Sequence, residues 1–384
     1  MRFVIKQAGC SSERVGSLTG FTKLKNALIE TPTTALLTQG GSVVHLTAEV
    51  LSKVFSSSQL LWVPLSNSAQ LESGLKAQGE GVVKFSGLAN HVSCGTLHNI
   101  NEITPSGHFE ADLVPLWTKN GKKMITAQRY MDLMELYKPD IILAISDGRT
   151  TLTDGYKRNS KAVDRTCKIK LIFQCCVENN NSPIGIGQSA IGSLVVLRPI
   201  LLMCFSMRKA CAQQWDLYRL RMILKIILSD YYYLFLQFLP FHSLLFTFLL
   251  NFLQEALPKD LVKFVEGCWS PDVVVTAIQY GWDVFDGSYP IKLTNSGFAL
   301  VLNFNIEQNS DELCLYKEDF RPLLEGCECL ACKKHTRAYI RHLLNTREML
   351  SSALTDRVQG APLDVDTLCS LRPHLAIQKL GLVR

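Results

Sequence analysis

The residues best suited to chemistry lie close together near the end of the chain. Cys327, Cys329 and Cys332 occur in the sequence GCECLAC, with the spacing C-x-C-x-x-C. Thiolates are preferred ligands of zinc, and three at this spacing can surround one tetrahedral centre when the backbone turns tightly. An iron–sulfur cluster normally requires a fourth cysteine, and none lies nearby. The pattern therefore predicts a zinc site.

A zinc site of this kind needs a fourth ligand, which is commonly a histidine. The candidates are His335, His342 and His374. His335 follows Cys332 by only three residues, which leaves little chain with which to reach the same metal. His342 lies within a helix predicted at 336–350, whose apolar stripe consists of Tyr339, Leu343, Thr346 and Leu350. A histidine on such a helix is also compatible with simple packing or solvation, so the fourth position stays open.

The elements that must position this site follow a repeated pattern. Short apolar runs at 35–38, 141–145 and 284–285 each end in Gly, Ser or Asp, as buried strands do before a loop. Between them lie stretches of helical length, such as 127–137, with apolar residues at helical spacing. Strands alternating with helices predict a parallel α/β fold, and this chain length favours a TIM-type (β/α)8 barrel.

Composition limits the function classes. The chain has 384 residues, 47% hydrophobic and only 19% charged, which excludes a disordered or fibrous protein. The net charge of +6 is compatible with a nucleic-acid partner without requiring one. Residues 1–20 have no long apolar core and no signal-peptide cleavage site, so we expect a cytoplasmic protein whose 13 cysteines stay reduced.

One segment departs from this pattern. Residues 231–250 (YYYLFLQFLPFHSLLFTFLL) carry no charge over twenty positions, and the preceding residues 196–229 hold six basic side chains and one acid. Such a stretch is long enough to span a bilayer, which makes a membrane anchor one hypothesis. A buried element is a second, although Pro240 would break a single core helix. A third is that the segment does not belong to the working protein.

Four blocks carry a family resemblance. Residues 327–344 (CECLACKKHTRAYIRHLL) resemble the zinc segment of the tRNA-guanine transglycosylases. Residues 31–47, 145–165 and 269–304 are similar to an early strand and its loop, to a Ser-Asp-Gly loop with a basic helix, and to a late barrel strand of that family. The resemblance covers roughly 1–195 and 256–350, and within the family the chain looks more like the accessory subunits than the catalytic ones.

The resemblance implies a zinc-bearing α/β barrel that works on tRNA. In this family an Asp attacks the ribose at the anticodon wobble position and expels guanine, and queuine then enters. Asp286 falls at the position of that nucleophile and also follows a predicted strand, where a loop-capping role is the alternative. The basic residues Lys157, Arg158, Lys161 and Arg165 are candidates for phosphate contacts or for an ordinary solvated helix face.

The catalytic pocket of the family is incomplete in this sequence. The Asp-Ser-Gly-Gly-Phe-Gln loop of catalytic members is absent, and its expected neighbourhood, residues 85–99, contains no acid. The Gly-Gly-Phe strand that helps to cradle the base is also absent. We therefore predict no catalytic residue, and an accessory subunit that forms a heterodimer with a catalytic queuine tRNA-ribosyltransferase subunit and reaches tRNA through the complex. The alternative is an active transglycosylase that uses Asp286. The resemblance also implies a peripheral association with the mitochondrial outer membrane.

The resemblance also divides the chain. Two segments match nothing in the family, and the barrel is predicted to be disrupted at the first of them. By the family spacing, the histidine that completes the zinc site would fall at Val358, which cannot bind a metal. The predicted divisions are an early barrel part at 1–195, an atypical hydrophobic segment at 196–255, late barrel strands at 256–310, a zinc-binding segment at 311–350 and an atypical tail at 351–384.

Overall fold

The computed structural model describes twelve stretches of the chain. These are residues 1–8, 12–99, 113–143, 145, 259–267, 270–296, 298–299, 311–312, 318–323, 325–326, 330–348 and 350. The predicted atypical segment at 196–255 and the tail at 351–384 lie outside them, as does the candidate membrane anchor at 231–250. Within the described stretches, no helix combines the length and the apolarity needed to cross a membrane.

The chain begins with a small antiparallel sheet. Its strands are β1 (Arg2–Ala8), β2 (Arg14–Thr19) and β3 (Ile29–Thr31), in the order β1-β2-β3. Strand β1 is largely exposed, whereas residues 14–18 of β2 are buried. The apolar side chains Leu18, Phe21 and Ile29 join the interior core of the sheet that follows. The small sheet therefore covers one end of a larger structure.

That larger structure is a parallel sheet. Its six parallel strands lie in the order β10-β7-β6-β4-β12-β11, and the short β5 (Ser42–Val43) pairs antiparallel with β4. Their bounds are β4 (Thr33–Gln39), β6 (Leu60–Pro64), β7 (Val92–Thr96), β10 (Ile141–Ile142), β11 (Phe264–Val265) and β12 (Val284–Asp286). The strands are apolar on both faces because both faces are buried. The predicted α/β class with parallel strands is confirmed.

Alternate residues of these strands enter two apolar layers. One layer lies inside the curve of the sheet and contains Leu37, Trp62, Cys94, Phe264 and Val284. The other packs the sheet against the helices and contains side chains such as Leu36, Leu61 and Val63. A sheet with a closed apolar interior on one face and helices on the other is the wall of an α/β barrel, of which the described strands form a part.

Helices follow the strands as predicted. Thr47 and Thr126 begin α1 and α5 by accepting hydrogen bonds from the amides of Val50 and Arg129, at 3.3 and 3.1 Å. Helix α5 has the bounds predicted from the sequence. The helices of this part are α1 (Ala48–Val54), α2 (Leu65–Ser68), α3 (Glu72–Gln78), α4 (Val82–Phe85), α5 (Ala127–Tyr137), α6 (Pro271–Gln279) and α7 (Ser288–Asn295).

A β-hairpin that the sequence analysis did not predict lies between β7 and α5. Its strands are β8 (Val114–Thr118) and β9 (Gly121–Ile125). Val114, Leu116 and Ile125 are buried in the outer apolar layer, and β8 packs on α2. The hairpin is thus anchored at its base, directly beside the residues that follow β6.

The C-terminal described part contains a short antiparallel pair, β13 (Phe298–Ala299) with β14 (Asp311–Glu312), and the helices α8 (Leu330–Lys334) and α9 (Arg337–Asn345). The predicted helix at 336–350 is too long. Arg347 adopts a left-handed conformation with φ of 56°, and the amides of 346–348 bond back to the carbonyls of 342–344, which ends the helix. The predicted apolar stripe is right for Leu343, which is buried, but wrong for Tyr339 and Leu350, which are each 42% exposed; the second buried side chain is Ile340.

A buried ion pair fastens the first sheet to the barrel wall. Arg14 of β2 donates from Nε to Oδ1 of Asp283 at 2.9 Å and from Nη2 to Oδ2 at 2.5 Å. Arg14 also donates to the carbonyl of Leu261 at 2.6 Å and to that of Lys259. Asp283 precedes β12, and Leu261 precedes β11. The contacts therefore join β2 to the amino ends of the last two described parallel strands.

The pair carries a second buried cation beside it. Asp283 Oδ2 accepts the amide of Lys263 at 2.6 Å, and the Lys263 side chain is itself buried. Burial raises the pKa of the Asp283 carboxyl, and the Arg14 guanidinium opposes this effect. Burial, together with the charge of Arg14, lowers the pKa of Lys263 to about 8. The amino end of the barrel thus holds two basic side chains against one carboxylate.

We expect Arg14→Met to lower the free energy of unfolding by about 3–5 kcal/mol, because it leaves the Asp283 carboxylate buried without its partner. Arg14→Met/Asp283→Leu should recover part of the loss. The control is Lys6→Met, which removes the exposed Lys6–Glu30 pair and should change stability by less than about 1 kcal/mol. Urea denaturation measures all three. A loss below about 1 kcal/mol for Arg14→Met would show that the pair does not fasten the two sheets.

Lys263 predicts a pH dependence of stability. Its pKa is about 8 in the folded chain and 10.5 when unperturbed, so the unfolded state binds more protons between these values. Its contribution to stability therefore rises with pH across this window, by up to about 3 kcal/mol. Lys263→Met, which has no charge to bury, should be more stable than wild type at pH 7.5, and the advantage should shrink towards pH 10.5. A difference that stays constant across this range would contradict the prediction.

Candidate functional site

Polar side chains gather where the parallel strands end. In α/β barrels the carboxyl ends of the strands form the functional face. In this chain a group of polar residues at and just after these ends is buried. They are Thr38, Ser66, Asn67, Ser68, Thr96, His98, Asn99, Glu266, Asp286 and Ser288.

Strand periodicity turns three of these side chains towards the same interior. Val284, Phe264 and Cys94 point into the interior apolar layer. Since side chains alternate along a strand, the residues two positions later share that direction: Asp286, Glu266 and Thr96. The hydroxyl of Thr96 donates to Oε1 of Glu266 at 3.2 Å. Their strands β7 and β11 are separated in the sheet by three others, so this bond shows that the sheet is curled.

Asp286 ends β12, as the sequence predicted. Its Oδ2 accepts the amide of Gly267 at 2.7 Å, and its Oδ1 accepts the amide of Ser288 at 3.1 Å and the hydroxyl of Ser288. The carboxylate thus holds the start of α7 to the loop after β11. This is the loop-capping arrangement that the sequence analysis gave as the alternative to a nucleophile, at the position where the nucleophile was expected.

The other loops at this face are tied to one another. The amide of Asn99 donates to Ser66 Oγ at 2.9 Å, and the amide of Ser66 donates to the carbonyl of Leu97 at 3.1 Å. Asn67 Nδ2 donates to the carbonyl of Thr38 at 3.1 Å. These bonds join the carboxyl end of β4 to the chain after β6, and the chain after β6 to the chain after β7. The polar residues therefore hold neighbouring loops together.

The interior thiol is not poised for chemistry. Burial raises the pKa of Cys94 well above its usual value, and the charge of Glu266 adds to the effect. A thiol held neutral in this way is a poor nucleophile and a poor metal ligand. Cys94 therefore belongs to the packing of the interior layer.

The candidate metal segment is described in part. Cys332 lies half-buried in α8, and His335 follows that helix with its ring stacked on Tyr339 at 5.3 Å between centroids. His342 lies on the exposed side of α9. Cys327, Cys329 and His374 lie outside the described residues, among which no three potential ligands come together.

The residues that flank Cys327 and Cys329 in sequence are described on both sides. Gly326, immediately before the cysteine motif, adopts a left-handed conformation with φ of 77°, and α8 begins between the second and third cysteines. A tight turn followed by a helix brings ligands at C-x-C-x-x-C spacing towards one point. The half-buried thiol of Cys332 is a ligand type that zinc prefers, and zinc at this motif would be held by thiolates from Cys327, Cys329 and Cys332.

The residues after the cysteines have structural roles of their own. Thr336 accepts the amide of Tyr339 at 3.3 Å and so begins α9. Arg337 donates to the carbonyls of Pro322 and Leu323 at 3.0 and 2.9 Å. These bonds clamp α9 to the loop that precedes the cysteines. Asp319 joins this clamp, and hydrogen bonds from Arg321 lower the pKa of its carboxyl to about 2.

Comparison with known proteins places this geometry in a family. The sequence profile described as queuine tRNA-ribosyltransferase matches residues 10–194 and 243–357, which is more than half of the chain. The chain belongs to the queuine tRNA-ribosyltransferase family. The match includes the cysteine motif, Glu266 and Asp286, and it leaves 195–242 unmatched. We call the end of the barrel at which these two carboxylates lie, where the parallel strands end, the barrel mouth.

Several individual relatives are similar to the chain over most of its length. The chain is 32% identical to the queuine tRNA-ribosyltransferase accessory subunit 2 of Culex quinquefasciatus over 92% of this chain and 83% of the relative. It is 30% identical to that of Aedes aegypti, over 91% and 84%, and 29% identical to that of Anopheles gambiae, over 100% and 89%. The predicted similarity to the accessory rather than the catalytic subunits is thus confirmed.

The structure also contains buried polar residues that the sequence analysis did not predict. Glu266 was not among its candidates, although an acid directly after a short apolar run is the same signal that identified Asp286. Thr96 and Arg14 could not be found this way, since their partners are 170 and 269 residues away in sequence. The basic candidates Lys157, Arg158, Lys161 and Arg165 lie outside the described residues.

Proposed function

We propose that the chain is a non-catalytic accessory subunit of a queuine tRNA-ribosyltransferase complex. In this role it supports the exchange of guanine for queuine at the anticodon wobble position of tRNA. The observation that carries the proposal is the similarity, over nine-tenths of the chain, to proteins named accessory subunit 2 of this enzyme. The partner would be a catalytic subunit of the same family, bound as a heterodimer in the cytoplasm, with peripheral association at the mitochondrial outer membrane.

The barrel mouth supports a role without chemistry. A nucleophilic carboxylate needs an open approach and a second group to handle protons. The Asp286 carboxylate instead accepts three hydrogen bonds from two loops and is 3% exposed. Glu266, the adjacent acid, is directed across the interior to Thr96. Together with the missing Asp-Ser-Gly-Gly-Phe-Gln loop, these contacts favour support of a catalytic partner.

An active transglycosylase remains the second candidate because Asp286 lies at the carboxyl end of β12, on the functional face of the barrel. The two functions differ in what a substitution of this residue does. In an accessory subunit, Asp286 affects only the local structure. In an active enzyme, it is indispensable.

We expect Asp286→Asn to leave base exchange by the reconstituted complex within about twofold of wild type. The variant should lose about 1–3 kcal/mol of stability, since an amide nitrogen would replace an acceptor of the Gly267 or Ser288 amide. Incorporation of labelled guanine into tRNA and thermal unfolding measure the two effects. Asp283→Asn, at the other end of β12, is the matched control for destabilisation alone. Loss of exchange with Asp286→Asn but not with Asp283→Asn would establish the active enzyme instead.

The zinc site is the second part of the proposal. Cys327, Cys329 and Cys332 are the ligands that the spacing and the backbone favour, and His335 is the candidate fourth ligand because it directly follows α8. When bound, zinc would link the turn at Gly326 to the start of α9 and stabilise this part of the chain. The three-residue separation of Cys332 and His335 makes His335 the ligand that most needs a test.

We expect the purified chain to contain one zinc ion, and Cys332→Ser to lose it and to unfold at a lower temperature. His335→Ala should weaken zinc binding, whereas His342→Ala, on the exposed side of α9, should not. Cys94→Ala is the matched thiol control and should keep its zinc. Metal content by mass spectrometry and competition with a chelator measure the outcome. Full zinc content in Cys332→Ser would refute the site.

A further inference from the structure

The β8–β9 hairpin carries a cluster of positive charge that the proposed function has not yet used. Lys119, Lys122 and Lys123 occupy its tip, and all of the residues 119–123 are exposed. The other residues of 113–125 contain no charged side chain. None of the three lysines forms an ion pair with another described residue, whereas Lys6, Lys76 and Lys84 each pair with a glutamate.

The tip is held in a defined conformation. Thr118 Oγ1 donates to the carbonyl of Gly121 at 2.9 Å and accepts the amide of Asn120 at 3.3 Å. Gly121 adopts φ of 105°, which a side chain would disfavour. With the hairpin base buried in the outer apolar layer, the lysines are displayed from a fixed support. Binding through them therefore costs less ordering than binding through a loose loop would.

The position of the hairpin points to its partner. It lies in the connection between β7 and α5, and its strand β8 packs on α2, immediately after the carboxyl end of β6. The base of the hairpin therefore lies next to the residues that follow the carboxyl end of β6, and the charged tip extends from this base into solvent. The half-buried Trp117 lies directly across the hairpin from Lys122. Lysines with an adjacent aromatic ring are suited to a nucleic-acid backbone, where phosphates and sugar or base faces alternate.

We propose that the tip formed by Lys119, Lys122 and Lys123 binds backbone phosphates of the tRNA held by the complex. This inference rests on the proposed function, because it is the complex that brings tRNA to the barrel face. The contact is electrostatic and reads no sequence, so it adds affinity and orientation without selecting the wobble base.

The test uses the complex reconstituted from the full chain, its catalytic partner and an unmodified tRNA with guanine at the wobble position. The variant Lys119→Gln/Lys122→Gln/Lys123→Gln should bind tRNA about tenfold more weakly near 100 mM salt. The slope of log Kd against log salt should fall by about 2, because up to three phosphate contacts are lost. Fluorescence anisotropy with labelled tRNA gives both quantities.

The matched control is Lys25→Gln/Lys53→Gln/Lys292→Gln, which removes the same charge from exposed lysines on the β2–β3 connection, α1 and α7. It should leave Kd and the salt slope within about twofold of wild type. Equal losses in both triple variants would overturn the proposal, since net charge and not the hairpin would then govern binding. Unchanged tRNA binding by the hairpin variant, with lost binding to phosphatidylserine vesicles, would also overturn it in favour of a membrane contact.

The inference and the proposed function fail in different ways. If the wild-type chain forms no complex with the catalytic subunit and adds nothing to base exchange, the accessory role itself is wrong. If the complex forms and exchanges bases, but the hairpin variant matches wild type in Kd and in salt slope, only the hairpin assignment is wrong. Gel filtration of the complex, measured alongside the binding curves, separates the two results.

Discussion

The Arg14–Asp283 ion pair is the contact on which the rest of the described structure depends. Charges so deeply buried are tolerated only when their hydrogen bonds are satisfied, and here one guanidinium serves a carboxylate and two backbone carbonyls at once. These partners lie at the amino ends of β11 and β12. The pair therefore joins the first part of the chain to the strands that follow the unmatched segment 195–242, and both parts must be in place for either charge to be satisfied.

The two ends of β12 carry carboxylates with different roles. Asp283 and Asp286 are three residues apart, so alternation along the strand turns them to opposite faces of the sheet. Asp283 meets Arg14 at the amino end. Asp286 shares the interior direction of Val284 and meets the loops of the carboxyl end. The conserved geometry of an α/β barrel thus places one carboxylate where it fastens the fold and the other where a family enzyme would do its chemistry.

Local patterns in the sequence were sufficient to predict several strands and helices, but not the contacts that these elements make with one another. The apolar runs located β4, β10 and β12, and the spacing of apolar residues located α5 with its observed bounds. The prediction for α9 was wrong because periodicity continues past Asn345, while the left-handed Arg347 ends the helix. The Thr96–Glu266 bond depends on the curl of the sheet. The β8–β9 hairpin is buried through three apolar side chains, Val114, Leu116 and Ile125. Neither leaves a periodic signal long enough to recognise.

The contacts at the barrel mouth bear on the proposed accessory role. A base entering this mouth would have to displace bonds that now join the loops after β4, β6 and β7 and that hold Asp286 between two loops. Any of these bonds that a ligand displaced would be lost on binding, so each such bond is a cost to binding there. Among the described residues, three lysines without an ion pair cluster outside it, at the hairpin tip. In the proposed accessory role, the barrel contributes to tRNA binding through the exposed hairpin, and the buried polar residues at its mouth hold the neighbouring loops in place.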